Sequence, residues 1–153
     1  MSGKILNIGS GKRPIEGAVN LDWNPESPGA THSWDIDYCG LAFDSNSFDE
    51  IIAYHILEHI HDLPKVIREI HRVGKNGARV KIEVPHFTNP QFYDDISHVR
   101  PFSENTIPHL CDDKNEGALC VTGKFKLIKN IVLGEAWSRE KPTVVVAEIE
   151  IVK

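Results

Sequence analysis

Hydrophobic and polar residues alternate with a period of two along much of this chain, a pattern typical of β-strands. It predicts seven strands, at 4–9, 18–22, 33–36, 48–54, 78–84, 124–133 and 143–152. One helix is predicted over 63–73, where apolar residues recur at helical spacing, and it should stop at Gly74 before a turn over 75–77. Ser103 is expected to cap a second, short helix over 104–110.

The order of these elements predicts an α/β fold whose sheet is mainly parallel and closes with an antiparallel C-terminal strand pair. Two connections, 11–22 and 22–34, are short and interrupted by proline and glycine. Neither has room for a crossover helix, which with its loops needs about a dozen residues or more. A reduced set of helices is therefore expected.

Polar side chains on the predicted strands share one face of the sheet. They are Asn7, Asn20, Arg79, Lys81, Glu83, Glu148 and Glu150. Burying such charges under helices would cost several kcal/mol each unless they were paired. We therefore expect this face to be solvated or to form a wet contact in a symmetric homodimer, and both alternatives stay open.

Composition narrows the class of protein. The 153 residues carry a net charge of −5 without a basic block, so neither nucleic acid nor a membrane surface is an expected partner. The three cysteines are too few and too irregularly spaced for a disulfide framework or a zinc site. With no signal-like start and no long apolar run, we expect a single cytoplasmic domain over 1–153.

A glycine turn and an acidic residue carry the first sign of chemistry. Gly9, Ser10 and Gly11 follow the first strand, where a tight turn alone would also explain them. Asp22 ends the second strand, where a carboxylate can accept hydrogen bonds from the two hydroxyls of a ribose. Together they favour a nucleotide-like ligand.

Further motifs follow in order: Asp37 after the third strand, the segment 41–49, Leu57-Glu58-His59 after the fourth strand, and the helix and glycine turn over 68–77. As a set they resemble the class I S-adenosylmethionine-dependent methyltransferases, within a compact, methyltransferase-type-11-like bacterial subset. The resemblance extends over about 4–105 and implies a Rossmann-like, trimmed methyltransferase domain.

The resemblance implies S-adenosylmethionine as the cofactor. The residues expected to bind it are Gly9, Ser10, Gly11, Asp22, Trp23, Asp37, Tyr38, Tyr54 and His55. Within that set, Asp22 would hold the ribose, Trp23 and Asp37 would meet the adenine, and Tyr54 and His55 would line the site near the sulfonium. The usual helix after the glycine turn is missing here, so Lys12 or Arg13 would replace it as the partner of the cofactor carboxylate.

The long loop 85–102 leaves the carboxyl end of a strand, where α/β proteins bind ligands. It should hold the methyl acceptor, expected to be a small molecule. Candidate proton acceptors are His55, His86 and His98, because histidine titrates near neutral pH. Candidate acceptor-binding residues are Tyr93, Asp95 and Arg100.

Three alternatives remain open. His55 and His59 would share a face if they were helical, with Glu58 between them, which allows a metal site; we favour a structural role and expect no metal. The domain could instead be a non-catalytic, cofactor-binding subunit of a larger complex. A dinucleotide-binding oxidoreductase is less favoured, since Pro14 stands where its fingerprint needs a third glycine.

Overall fold

A computed structural model of the chain describes residues 3–112 and 123–153. It contains seven strands and three α-helices within these ranges: β1 Ile5–Ile8, β2 Val19–Asp22, β3 His32–Ser33, α1 Ile36–Cys39, β4 Phe48–Tyr54, α2 Leu63–Val73, β5 Gly74–Pro85, α3 Thr106–Leu110, β6 Lys124–Leu133 and β7 Val144–Val152. The strands form one sheet in the order β3-β2-β1-β4-β5-β7-β6. Strand β7 runs antiparallel to β5 and β6, and the other adjacent pairs are parallel, so the predicted fold class is confirmed.

Helix α2 covers one face of the sheet. Asp62 caps it by accepting a hydrogen bond from the backbone N–H of Lys65 at 3.1 Å, and a proline in the first turn suits its start. Its apolar stripe is fully buried and consists of Val66, Ile67, Ile70 and Val73. These side chains join the inward residues of β1, β4 and β5 in a single hydrophobic core.

The opposite face carries charge, as predicted. No helix covers it from the connections 9–18 and 23–31, which the structure describes in full. The charged side chains of β4, β5 and β7 are partly exposed and paired across strands: Lys81 with Glu50 at 3.0 Å, and Arg79 with Glu148 and Glu150 at 3.3 and 3.2 Å. The homodimer contact on this face stays a prediction.

Two members of the polar set differ from expectation because Asn7 and Asn20 are buried. Asn7 Nδ2 donates to Asn20 Oδ1 at 2.9 Å and to the carbonyl oxygen of Arg13 at 3.1 Å. Asn20 accepts from the backbone N–H of Ile15 and donates to its carbonyl oxygen, both at 2.9 Å. Side-chain amides thus hold the connection between β1 and β2 where a helix would otherwise pack.

The third strand, the turn over 75–77 and the second helix differ most from the prediction, whereas other strand limits differ by at most one residue. The third strand is His32–Ser33, and the next residues form α1, because the Asp35 side chain caps a helical turn by accepting from the backbone N–H of Asp37. The expected turn over 75–77 lies inside β5 as an irregularity opposite β4, where Gly77 has a φ of 79°. Helix α3 begins at Thr106 and not at residue 104, and its N-cap residue is Asn105 and not the expected Ser103.

Among the described residues no helix is both long and apolar enough to cross a bilayer. Cys39 and Cys111 are free thiols, and Cys120 lies outside the described residues. Burial raises the pKa of the Cys111 thiol to about 11, so this cysteine stays protonated near neutral pH.

Candidate functional site

A cavity of about 590 Å³ opens at the carboxyl ends of β1, β2 and β4. The residues that line it are Ile8, Gly9, Gly11, Leu21, Asp22, Trp23, Trp34, Asp35, Ile36, Asp37, His55, Ile56, His59, Ile60, His61, Ile96, Ser97 and Val99. Ligand sites of small molecules have volumes in this range and commonly lie at this edge of an α/β sheet.

The glycine turn forms the floor of the cavity. Gly9 and Gly11 have φ values of 67° and 47°, a region that side chains other than glycine rarely adopt. A Cβ atom on Gly9 would come within 2.8 Å of the Ile56 side chain, so this position also requires glycine for space. Ser10 is buried beside the cavity lining, and its Oγ has no hydrogen-bond partner among the described residues.

Asp22 joins the turn to the end of β2. Its Oδ2 accepts from the backbone N–H of Gly11 at 2.7 Å, and its Oδ1 accepts from that of Asn24 at 2.9 Å. A carboxylate offers about four lone-pair positions, so two acceptor positions remain for a ligand. Trp23 follows directly, lines the cavity and leaves 72% of its surface exposed.

Asp37 also lines the cavity, and its carboxylate binds the backbone of the segment 61–62. Burial alone would raise its pKa, but hydrogen bonds from the backbone N–H groups of His61 and Asp62, at 3.0 and 3.1 Å, outweigh that effect and lower the pKa. Lys65 Nζ donates to the carbonyl oxygens of Asp37 and Tyr38, at 2.6 and 3.0 Å. The Tyr38 side chain is 87% exposed and lies outside the cavity lining.

Among the three candidate histidines, only His55 lines the cavity. Its Nε2 lies 2.8 Å from Glu83 Oε1 and its Nδ1 lies 3.5 Å from Glu58 Oε1. Contact with Glu58, followed by contact with Glu83, raises the pKa of the imidazole against the opposing effect of burial. Tyr54 is absent from the lining; the charged groups that act on its hydroxyl, Lys81 among them, belong to the polar face.

The other two candidate histidines contact neighbouring protein groups outside the cavity. His86 is buried, and its ring nitrogens contact Thr88 Oγ1 at 2.8 Å and Glu104 Oε2 at 3.1 Å. His98 Nδ1 lies 2.7 Å from the carbonyl oxygen of Phe92, and the two rings stack. Neither is part of the cavity lining.

The predicted acceptor-binding residues also contact protein groups. Tyr93 donates its hydroxyl proton to the carbonyl oxygen of Phe87 at 2.8 Å. Arg100 donates to the carbonyl oxygens of Ile60 and His61, both at 3.2 Å, and so supports the cavity wall from behind. Asp95 accepts from the backbone N–H and the hydroxyl of Ser97. Lys12 and Arg13 are exposed and lie outside the lining.

Sequence reasoning missed several lining residues. Trp34, whose Nε1 donates to the carbonyl oxygen of Gly40 at 3.0 Å, lies inside the predicted third strand, where no motif marks it as a lining residue. Ser97 and Val99 come from the predicted acceptor loop but carry no recognisable motif. They reach the cavity because the backbone N–H of Val99 donates to the carbonyl oxygen of Glu58 at 2.9 Å.

One cluster in the described part of the chain has metal-ligating chemistry, although no metal was expected. Glu58, His59 and His98 place one donor atom each within 4.8 Å of one another. Glu58 and His59 follow β4, whereas His98 belongs to the loop after β5.

Comparison with known proteins identifies a family that part of the chain matches. Residues 23–82 match the family described as a methyltransferase domain. The chain is 26% identical over 94 residues to norajmaline N-methyltransferase of Rauvolfia serpentina and 39% identical over 56 residues to 2-phytyl-1,4-naphtoquinone methyltransferase of Nostoc punctiforme. These alignments cover 61% and 36% of this chain but 32% and 24% of the two enzymes. The chain thus spans about a third or less of these curated relatives.

One solved structure with a similar fold contains two bound ligands. The structure of Burkholderia thailandensis 1,6-didemethyltoxoflavin-N1-methyltransferase, with bound 1,6-didemethyltoxoflavin and S-adenosylhomocysteine, matches with a TM-score of 0.68 at 14% identity. The match covers 99% of this chain and 72% of that one. Sequence match and fold together confirm that the chain resembles the class I S-adenosylmethionine-dependent methyltransferases and shares their sheet.

Proposed function

We propose that this protein is an S-adenosylmethionine-dependent methyltransferase acting on a small-molecule acceptor. The observation that carries the proposal is the cavity at the strand ends, bounded by the Gly9 turn and by the carboxylates of Asp22 and Asp37, in a chain that matches the methyltransferase domain family. The names of the curated relatives and of the Burkholderia enzyme, each specifying a small acceptor, support the choice of substrate class.

The residues around the cavity fit such a cofactor. Gly9 and Gly11 line the cavity without side chains, and Asp22 retains acceptor positions for ribose hydroxyls. The buried hydroxyl of Ser10 has no partner of its own among the described residues. Trp23 offers an exposed ring for stacking against adenine.

The bound cofactor supplies an electrophilic methyl group, and the chain supplies position and proton transfer. His55 is the proton acceptor in this proposal. Donation from its Nε2–H to Glu83 at 2.8 Å would leave the lone pair on Nδ1, the atom that takes up the proton. The carboxylates of Glu58 and Glu83 then stabilise the imidazolium that forms.

Calorimetric titration with S-adenosylhomocysteine, S-adenosylmethionine and NAD tests the cofactor. We expect the first two to bind and NAD not to bind. Asp22→Ala should weaken S-adenosylhomocysteine by about 1.5–3 kcal/mol, the loss of a charge-assisted hydrogen bond, and Asp22→Asn by less. Asp44→Asn, at an exposed carboxylate outside the cavity, is the matched control.

An unchanged affinity in Asp22→Ala would remove the ribose role of this residue, and a failure of S-adenosylhomocysteine to bind would overturn the proposed function. Turnover is measured separately, as S-adenosylhomocysteine released with a panel of small phenols, amines and quinols. Cofactor binding without release across that panel would favour a non-catalytic, cofactor-binding subunit.

A further inference from the structure

The cluster of Glu58, His59 and His98 lies at the wall between the cavity and the acceptor loop. Two parts of the chain meet there, because the backbone N–H of Val99 donates to the carbonyl oxygen of Glu58 at 2.9 Å. The sequence spacing alone gives no sign that His98 comes close to Glu58. His59 and Ser97 line the cavity, so the cluster borders the space assigned to the ligands.

Glu58 is the unusual member of the cluster. Its side chain is 1% exposed, and neither carboxylate oxygen takes part in a hydrogen bond with any residue that the structure describes. A basic group beside it is His55, whose Nδ1 lies 3.5 Å away, beyond the range of a well-formed hydrogen bond. An ionised carboxylate in such a position is costly unless a cation compensates it.

The tautomer of His98 follows from its partner. A carbonyl oxygen only accepts hydrogen bonds, so the 2.7 Å contact with the carbonyl of Phe92 requires that His98 Nδ1 carry a proton. The lone pair of the neutral ring is therefore on Nε2. Asp95 Oδ2 lies 3.8 Å from that nitrogen, too far to occupy it with a hydrogen bond.

The tautomer of His59 follows from a chain of two hydrogen bonds. Ser97 donates its hydroxyl proton to Asp95 Oδ1 at 2.6 Å, so its oxygen is free to accept. His59 Nδ1 lies 2.9 Å from that oxygen and acts as the donor. The lone pair of His59 is then also on Nε2, and both imidazoles are oriented by the opposite ring nitrogen, as metal-ligating histidines usually are.

We propose that Glu58, His59 and His98 bind a divalent transition-metal cation, with Zn²⁺ as the preferred ion. Two imidazole nitrogens and one carboxylate are a common ligand set for Zn²⁺ and leave a further position open. Bonds of about 2 Å in a tetrahedral site place donor atoms about 3.3 Å apart, so donor atoms that now lie within 4.8 Å of one another would approach by up to about 1.5 Å on binding. The site shares Glu58 with the proposed methyl transfer, where this carboxylate lies beside His55, but Zn²⁺ binding itself needs no S-adenosylmethionine.

Titration of metal-stripped protein with Zn²⁺, in competition with a chromophoric chelator, tests the site. We expect one Zn²⁺ per chain and a rise in the thermal unfolding temperature when it binds. His98→Ala and His59→Ala should each weaken Zn²⁺ at least 100-fold, because two ligands remain. His109→Ala, at an exposed histidine on α3, should leave the affinity unchanged.

Two further measurements separate a built site from adventitious binding. Ser97→Ala removes the acceptor of His59 Nδ1, together with the hydroxyl that donates to Asp95, and should weaken Zn²⁺ about 10-fold without loss of folding, which circular dichroism checks. Co²⁺ should give visible absorption bands of four-coordinate intensity in the wild type and lose them in His98→Ala.

The proposal is overturned if the wild type binds no Zn²⁺ at one equivalent, or if His109→Ala lowers the affinity as much as His98→Ala does. If His98→Ala does not fold, Ser97→Ala and the Co²⁺ spectrum of the wild type decide the matter. None of these measurements depends on S-adenosylhomocysteine, so the metal site and the proposed function can fail separately.

Discussion

The two faces of the sheet are stabilised in different ways. On one face α2 buries a continuous apolar stripe against β1, β4 and β5. On the other, charged side chains from β4, β5 and β7 pair across strands while remaining partly in water. The first face gains its stability from area removed from water, and the second gains little from pairs that water screens.

The comparison shows that a sheet can lack helices over part of one face and still keep a ligand cavity at the carboxyl ends of its strands. The connection between β1 and β2 has no helix, yet the amides of Asn7 and Asn20 bind three of its backbone polar groups, the carbonyl oxygen of Arg13 and both groups of Ile15. These side chains lie directly behind the Gly9 turn. The polar pair therefore takes over the positioning role that a packed helix would have.

The largest effect is expected on the covered face. Ile70→Ala removes a fully buried side chain of α2 and leaves a cavity, so it should lower the free energy of unfolding by about 2–5 kcal/mol. Urea denaturation followed by circular dichroism measures it. A loss below about 1 kcal/mol would contradict the view that α2 carries the core.

A smaller but substantial loss is expected at the amide pair. Asn20→Ala leaves the backbone groups of Ile15 and the Asn7 amide without their partner, at a cost of about 2–3 kcal/mol. It should also weaken S-adenosylhomocysteine, because the turn moves. Asn76→Ala, which removes a single exposed acceptor for the Lys153 backbone N–H, is the control and should cost much less.

The lowered pKa of Asp37 predicts that the free energy of unfolding depends on pH. Its pKa is lowered in the folded protein, so the stability that it contributes is present above the ordinary carboxyl pKa and is lost as the pH falls through the folded value. At pH 7 Asp37→Asn should cost about 1 kcal/mol, and the difference from wild type should shrink below about pH 4. Equal differences at pH 7 and pH 3.5 would exclude this role.

The smallest effect is expected on the open face. Lys81→Met breaks the 3.0 Å contact with Glu50, but both groups are partly exposed. Solvent screening should hold the change in unfolding free energy below about 1 kcal/mol, and the residual effect should fall as salt is added. A loss as large as that of Ile70→Ala would mean that this face is covered in solution, for example by a second copy of the chain.

Much of the fold was predictable because the spacing of the apolar residues and the positions of proline and glycine indicated the same element boundaries. Helix α2 has the predicted limits, since its apolar spacing is bounded by a proline at the start and Gly74 at the end. Helix α1 was not predictable in this way, because four residues are too few to show a period. Its cause is the single capping carboxylate of Asp35.

The candidate site was predictable where it follows strand ends and less so where it depends on tertiary contact. Gly9, Asp22 and Asp37 line the cavity because each follows a predicted strand. Tyr54 shares the strand parity of Glu50, a sequence signal that it lies on the polar face. The approach of His98 to Glu58 depends on one long-range backbone hydrogen bond, which no local pattern encodes.

The short connection between β1 and β2 has a consequence for how the chain folds. Asn7 and Asn20, which contact each other across this parallel pair, are 13 positions apart, whereas Arg79 and Glu148, across β5 and β7, are 69 apart. Closing a loop costs entropy that rises with the logarithm of its length, by about 0.6 kcal/mol for each doubling. Forming the strand pair that carries the glycine turn therefore costs less loop entropy than forming the C-terminal pair, so the ligand edge can assemble before the C-terminal strands reach it.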